Sequence, residues 1–286
     1  MANMDRHTAK RAIGIALILA SLLIVVACGT ATNPSSNAPA LPTQTQVTLN
    51  HSPVGTSDLT WNAASQALTV KVALSGLAPN STHPEHIHKG DCSSNGDIIY
   101  KLNPLTANSL GVGTSETTIP GVKDGILAKG WYINIHNGPG ISPAIQFAPI
   151  ACANITNPTT STKINQSVHL TLKGTTAADE SASGTAQLSI ASGKLTVKLT
   201  LTGLTPNSTH IAHIHKGSCE AQGAVLYPLT SVVADASGKG TSTTIVPNLP
   251  SIPAKGWYVN VHLVSTTSDL NTQTGFDPIA CGNVVV

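Results

Sequence analysis

Apolar and polar residues alternate along much of this chain. Between Lys194 and Leu201 every second residue is Leu or Val, and the residues between them are Lys or Thr. The stretch from Leu68 to Leu74 has the same pattern. A period of two predicts half-buried antiparallel strands, and the turn signal Gly-Leu-x-Pro-Asn follows both stretches. We find no long helical period and therefore predict an all-β protein.

The N-terminal segment follows a different pattern. It begins with three basic residues, Arg6, Lys10 and Arg11. Residues 12–27 are then apolar or small up to Cys28. A membrane-spanning helix needs about 20 residues, so this shorter run is more typical of a signal sequence. Its end, Val25-Val26-Ala27-Cys28, resembles the bacterial lipoprotein box, with Val in place of the usual Leu three residues before the cysteine.

That resemblance implies a signal peptide at 1–27 and lipidation of Cys28 as the first residue of the mature chain. The protein would then be lipid-anchored on the extracytoplasmic face of the bacterial cell membrane. Residues 28–46, rich in Thr, Asn, Pro, Ser and Ala, would form a flexible tether. The alternative is an uncleaved anchor in which Cys28 is an ordinary thiol.

The rest of the chain contains one pattern twice. Leu77–Cys92 (LAPNSTHPEHIHKGDC) aligns with Leu204–Cys219 (LTPNSTHIAHIHKGSC). The later segments AKGWYINIH and PIAC also recur, the first as AKGWYVNVH. A repeat this long predicts two whole domains rather than a solenoid. We place them at 47–156 and 167–286, joined by a polar linker at 157–166 whose cleavage should release two separate domains.

Cysteine usage agrees with the duplication. Apart from Cys28, each copy contains two cysteines. Export favours disulfides, and the repeat pairs Cys92 with Cys152 and Cys219 with Cys281. Each bridge would close a loop of roughly 60 residues and contribute about 4 kcal/mol if loop entropy dominates. Free cysteines are the alternative.

Charge excludes one class of partner. Of the 286 residues only 10% are charged, and the formal net charge of +2 arises within the first 27 residues. No arginine follows Arg11. A nucleic-acid partner requires clustered basic side chains, so we expect none.

Eight of the eleven histidines occupy equivalent positions in the two copies. If Ile87 is buried, His86 and His88 both lie on the opposite face of its strand, where His136 from a second strand can meet them under a loop. Three converging imidazoles suit copper or zinc. A polar cluster bonded to loop carbonyls is the alternative. The equivalent residues in the second copy are His213, His215 and His262. His51 and His169 have no counterparts and are expected at the surface.

The pattern Gly-Leu-Thr-Pro followed by His-x-x-His-x-His, a later Val261-His262 and the final Ala280-Cys281-Gly282 resemble Cu/Zn superoxide dismutase. The resemblance implies two tandem Greek-key β-sandwich or barrel domains, each with an internal disulfide. It assigns six copper ligands, His86, His88, His136, His213, His215 and His262. It also implies that His83 and His210 are structural histidines that tie loops together without binding metal.

The chain departs from that family in ways that bear on activity. No histidine lies between His88 and His136 or between His215 and His262, so the bridging histidine and the zinc ligands are missing. The family's arginine beside the copper is missing too. We therefore expect copper rather than zinc, and assign no catalytic residue.

A second, related resemblance is to bacterial CHRD domains. Three functions stay open: copper binding or buffering with weak or vestigial dismutase activity, an active copper-only superoxide dismutase, and a metal-free CHRD module for structure or adhesion. The expected partners are a metal ion and, through the lipid anchor, the membrane.

Overall fold

The computed structural model describes residues 43–286, and the chain from Leu41 onward forms one compact unit. The predicted signal peptide, the lipidation site Cys28 and most of the tether lie outside the described residues. Within 43–286 no helix is long and apolar enough to cross a membrane. We call the chain up to residue 156 the first copy and the chain from residue 166 the second copy.

The described residues of both copies are almost entirely strands, so the all-β prediction is confirmed. The first copy contains β1 (Gln44–Leu49), β2 (Val54–Asn62), β3 (Ala67–Ser75), β4 (Thr82–His83), β5 (Glu85–Lys89), β6 (Ile98–Lys101), β7 (Leu105–Ala107), β8 (Val112–Ile119), β9 (Trp131–His136), the one-turn helix α1 (Ala144–Phe147) and β10 (Pro149–Ile155). The second copy contains β11 (Gln166–Leu172), β12 (Ser183–Ala191), β13 (Lys194–Thr202), β14 (Thr209–Lys216), β15 (Val225–Ala234), β16 (Gly240–Val246), β17 (Trp257–His262), a 3₁₀ turn (Asp269–Asn271), α2 (Gln273–Phe276) and β18 (Pro278–Val284).

Antiparallel pairing arranges the strands into three sheets. Their orders are β11-β2-β3-β8-β7-β4, β10-β9-β5-β6 and β1-β12-β13-β16-β15-β14-β17-β18. The second copy has one continuous sheet where the first has two, because β14 runs unbroken where β4 and β5 are separate. Pro84 stands between those two strands at the position of Ile211. Proline has no N–H to donate to a ladder and so interrupts it.

Each copy packs the predicted apolar faces into its own core. In β13 the alternating residues Leu195, Val197, Leu199 and Leu201 are buried together with the facing strands of the second copy. The equivalent face of β3 enters the core of the first copy, which also contains Trp131. Trp257 is partly buried against the second core. Burial of a Leu or Val side chain contributes about 1.5–3 kcal/mol. Burial of one face of each strand therefore explains why apolar residues occur at every second position in the sequence.

The first strand of each copy lies in the sheet of the other copy. β1 pairs with β12 from Gln44↔Ser189 to Leu49↔Gly184. β11 pairs with β2 from Gln166↔Trp61 to Leu172↔Gly55. The two copies therefore exchange equivalent strands, and neither contiguous segment contains all the strands of its own sandwich. β1 also includes the last three residues of the expected tether, 44–46, because Val47 and Leu49 are buried in the second core.

The segment between β1 and β2 and the segment between β11 and β12 contact each other. His51, which follows β1, lies 3.8 Å from Glu180, which precedes β12, measured from Nε2 to Oε2. A Cβ on Gly174 would come 2.0 Å from the Glu180 carbonyl oxygen and 2.7 Å from the His51 ring, so only glycine fits between them. The expectation of a surface His51 is wrong, since its Nε2 bonds the Ile150 carbonyl 2.9 Å away in a largely buried position. His169 is exposed, as expected, and contacts Asp58.

Both predicted disulfides are present. Cys92 bonds Cys152 and Cys219 bonds Cys281, with sequence separations of 60 and 62 residues. The linker between the copies is held at both ends, because Asn157 and Gln166 are buried. Both bond the backbone of Ile126, at 2.7 Å each. The domain limits themselves stay a prediction.

Candidate metal centres

Two adjacent strands in each copy carry the repeated histidine pattern. In the first copy Ile87 is fully buried in the core, so its neighbours His86 and His88 lie on the other face of β5. β5 pairs with β9 in the register His86↔Asn134 and His88↔Tyr132, which brings the end of β9, His136, beside them. In the second copy β14 and β17 pair in the same register.

The structure brings together the six histidines predicted as ligands, in two sets of three. Site 1 comprises His86, His88 and His136, and site 2 comprises His213, His215 and His262. In each site the three candidate ligand nitrogens lie within 4.8 Å of one another. His86 Nδ1 and His136 Nε2 are 3.0 Å apart in site 1. A metal ion with Cu–N or Zn–N bonds of about 2 Å fits between nitrogens at such separations.

Backbone carbonyls orient two of the three rings in site 1. His88 Nδ1 donates to Gly96 O at 2.9 Å, and His136 Nδ1 donates to Phe147 O at 2.5 Å. These bonds fix the tautomers, so the Nε2 lone pairs of both rings face the third histidine. Tyr132 stacks on His88 and Phe147 stacks on His136, with ring centroids 4.9 and 4.7 Å apart.

Site 2 has the same arrangement. His215 Nδ1 donates to Gly223 O at 2.9 Å, and His262 Nδ1 donates to Phe276 O at 2.6 Å. Tyr258 stacks on His215 as Tyr132 does on His88. The two copies therefore share the supporting contacts together with the histidines. Metal-binding histidines ordinarily have such a partner on the second ring nitrogen.

Burial keeps the imidazoles neutral. Desolvation, and then the nearby His136, His88 and Lys101, lower the pKa of His86 to about 4. Desolvation and the neighbouring His215 lower the pKa of His213 to about 4 in site 2. Burial also lowers the pKa of His262, to about 3. At pH 7 these rings therefore offer lone pairs rather than positive charge, which is the state that binds metal.

The residues present fit a metal ion. Among the described residues, His88 Nε2, His215 Nε2 and His213 Nδ1 are buried nitrogens without a hydrogen-bond partner. An unpaired buried polar atom costs about 1–3 kcal/mol, and coordination to a metal would give these three nitrogens a partner. A small cavity of about 70 Å³ adjoins His88 and is lined also by Tyr132, Asn134 and Phe147.

The two histidines assigned a structural role lie outside these sets. His83 Nδ1 donates to His136 O at 2.8 Å, and Ser81 Oγ bonds His83 Nε2 at 2.7 Å. His210 makes the same pair of contacts with His262 O and Ser208. Both nitrogens of each ring are thus used, which leaves none for a metal. Each ring instead anchors the backbone of a candidate ligand.

Comparison with known families agrees with the duplication. The family model for the CHRD domain matches residues 34–140 and 166–267. The chain belongs to the CHRD domain family. A comparison with curated proteins gives no match. Among solved structures the chain is similar to "Crystal structure of CBD12 from CALX1.2", at 12% identity over 70% of this chain and 77% of that chain, with a TM-score of 0.16.

Sequence reasoning missed several residues that build these CHRD sites. Phe147 and Phe276 supply both a carbonyl acceptor and a ring beside the third histidine. They occupy equivalent positions just before Pro149 and Pro278, a signal that the repeat alignment contains. Gln273, at the start of α2, bonds the backbone of Thr82 and Asn137 beside site 1 but has no such signal, because its equivalent is Ala144.

Proposed function

We propose that each CHRD domain of this chain binds one copper ion through its three histidines, and that the protein binds or buffers copper at the cell surface. The observation that carries the proposal is that three histidines converge in each copy, and that one of them, His88 or His215, has a buried, unpaired Nε2 while a backbone carbonyl fixes its opposite Nδ1. A polar cluster formed without regard to metal would have no reason to leave those atoms unpaired.

Copper is favoured over zinc by the donor set. Imidazole suits both metals, and three histidines with a water can also hold zinc, so the number of ligands in each site does not separate the two metals. Neither site contains a carboxylate among its ligand groups, so a buried divalent ion would keep its full charge. Because desolvation grows steeply with charge, the monovalent Cu(I) ion fits three neutral nitrogens best. Bound copper would supply one-electron chemistry.

Metal content after loading tests the proposal. We expect about two copper ions per wild-type chain, about one in His88→Ala or His215→Ala, and about none in the double variant, with affinity at a damaged site lower by orders of magnitude. Copper measured by mass spectrometry, with Cu(I) competition against a chromophoric chelator, checks this; parallel loading with zinc checks the choice of metal. His169→Ala is the matched control, because His169 is exposed.

His83→Ala separates ligand from structural roles. It should lower stability but leave two copper ions per chain, because both nitrogens of His83 already have partners. If His83→Ala abolishes binding at site 1 while His136→Ala does not, the ligand assignment is wrong. A wild-type chain that binds no copper would favour the metal-free CHRD module.

We further propose that Cys28 carries a lipid that anchors the protein to the extracytoplasmic face of the membrane. The supporting observation is the sequence before that cysteine. Metabolic labelling with an alkyne fatty acid, in the wild type and in Cys28→Ala, tests it. Label in both proteins, or in neither, would contradict the proposal.

A further inference from the structure

The short helix α2 of the second copy contacts a ligand of site 2 and the backbone beside site 1. Its last residue, Phe276, accepts the hydrogen bond from His262 Nδ1 at 2.6 Å and so orients a ligand of site 2. Its first residue, Gln273, reaches across to the first copy. Both contacts come from the same four-residue turn, which Thr272 caps through Gly275 N.

Gln273 binds two backbone segments of the first copy that meet beside the site 1 ligand His136. Its Nε2 donates to Thr82 O and to Asn137 O, both at 2.8 Å, and its Oε1 accepts from Thr82 N at 3.0 Å. Thr82 precedes the structural His83, and Asn137 follows the candidate ligand His136. One amide group thus ties together the two backbone segments that His83 also ties, through its 2.8 Å bond to His136 O.

Other contacts hold α2 firmly on the first copy. Asp277, directly after the helix, accepts from Ala78 N at 2.9 Å and is buried. Gln222, from another loop of the second copy, donates to Leu77 O at 2.8 Å and so holds the same segment of the first copy. The helix therefore has contacts with both copies, so a change in its position would affect the backbone of each.

The equivalent helix of the first copy, α1, forms without a glutamine at this position. In α1 the residue at that position is Ala144, and Phe147 still orients His136 as Phe276 orients His262. A glutamine there is thus unnecessary for forming the helix or for holding the histidine of its own copy. Its side-chain hydrogen bonds all go to the other copy.

We propose that α2 couples the two sites, so that copper held at site 2 raises the affinity of site 1 for copper, with Gln273 as the positioning residue. This inference rests on the proposed copper binding. A metal bound to His262 would further restrict its ring and, through the 2.6 Å bond to Phe276 O, the turn that carries Gln273. Site 1 then loses less freedom when its own metal binds, which is positive cooperativity by shared ordering. By linkage, copper at site 1 raises the affinity of site 2 by the same factor.

Cu(I) titration of the full chain against a chromophoric chelator tests the coupling. Inactivating site 2 by His215→Ala should weaken site 1 by about 5- to 150-fold, the usual range of coupling between sites. Gln273→Ala, which installs the residue of α1, should weaken site 1 by about 10- to 100-fold, as removal of outer-shell partners does. In Gln273→Ala the further loss of site 2 should then leave the affinity of site 1 unchanged.

Controls separate coupling from general damage. Gln187→Ala removes an exposed glutamine whose side-chain amide bonds Gln46, and should alter neither affinity. Gln273→Met keeps the length of the side chain without its hydrogen bonds and should behave as Gln273→Ala does, which guards against a packing defect. Hydrogen exchange gives a readout without metal: amides at 82–88 and 136–138 should exchange faster in both Gln273 variants.

The outcomes distinguish the inference from the proposed function. Two copper ions bound with affinities that depend neither on the other site nor on Gln273 would overturn the coupling and leave copper binding intact. Absence of copper from the wild-type chain would overturn both. Weaker copper binding at site 2 alone, in Gln273→Ala, would assign the glutamine to its own copy and also refute the coupling.

Discussion

Individual buried side chains of this protein differ in their hydrogen bonds and in their pKa values. Among the histidines, position alone does not assign a role, since His83 and His86 are close in sequence and both buried. The hydrogen bonds distinguish the two rings: His83 bonds the His136 carbonyl and the Ser81 hydroxyl, whereas Nδ1 of His86 faces the ring of His136 in the same candidate metal site. Hydrogen bonds of this kind depend on residues far along the chain, and for that reason the sequence could suggest the roles but not establish them.

Glu180 should make the protein less stable as the pH rises. Burial, and then the nearby Asp179 and Asp277, raise its pKa to about 8, against an ordinary value of 4.5. The neighbouring His51 offers no compensating charge, because burial lowers its pKa. A raised carboxyl pKa means that the folded state holds the proton longer than the unfolded state. The contribution of this proton to the free energy of unfolding is fully present below about pH 4.5 and is lost as the pH rises to about 8.

Glu180→Gln should remove this dependence, because the amide stays neutral. We expect the variant to be about 1–3 kcal/mol more stable than wild type at pH 8, and the difference to vanish near pH 4.5. Urea unfolding at both pH values measures it. Glu116→Gln is the control, since Glu116 is exposed and paired with Lys71. Equal pH slopes in wild type and Glu180→Gln would contradict the prediction.

At the scale of strands and helices, the exchange of β1 and β11 changes the expected effect of cutting the linker between the copies. The sequence predicts that cleavage within 157–166 releases two domains. In the structure each fragment would still donate a fully paired strand to the sheet of the other. β1 and β11 have similar alternating patterns, so either strand can pair with either sheet edge, and the glycine at position 174 leaves room for both segments where they cross.

We therefore expect that a protein cut at an engineered protease site replacing residues 160–164 remains a single species on size-exclusion chromatography. It should separate into two fragments only in denaturant, because each disulfide of the described residues lies within one copy. Val47→Asp, which places a charge where β1 enters the second core, should let the cut fragments separate more readily. Native separation of the cut wild-type protein would argue against the strand exchange.

For the whole molecule, charge limits any dismutase activity. The chain after Cys28 has a net charge near zero and no arginine, so little electrostatic steering of an anion toward copper is available. Steering changes association rates by about 10- to 1000-fold and weakens steeply with salt. The copper-loaded protein should therefore react with superoxide at least about tenfold more slowly than the diffusional ceiling of about 10⁸–10⁹ M⁻¹s⁻¹.

Pulse radiolysis of the copper-loaded protein at low and high ionic strength measures this rate. We expect a slow reaction that changes little with salt. Protein with both sites inactivated by His88→Ala and His215→Ala is the background. A near-diffusional rate that falls sharply with salt would instead identify an efficient superoxide dismutase.

The sequence by itself determined the features that depend on local pattern and on the repeat. A period of two at Leu195–Leu201 is sufficient for a half-buried strand, because side chains alternate across a sheet. The duplication predicted both disulfides and also the two sets of histidines that the structure brings together. These predictions succeeded because each residue was compared with its counterpart in an equivalent environment.

Tertiary structure alone decided which copy each element packs against. Nothing in the pattern of β1 distinguishes pairing with β2 from pairing with β12, since both edges present the same backbone donors and acceptors. The burial of His51 and Glu180 follows from the crossing of the exchanged segments, and the reach of Gln273 follows from the packing of α2 on the first copy. These contacts join residues more than 100 positions apart, and their free energies depend on a geometry that no local pattern encodes.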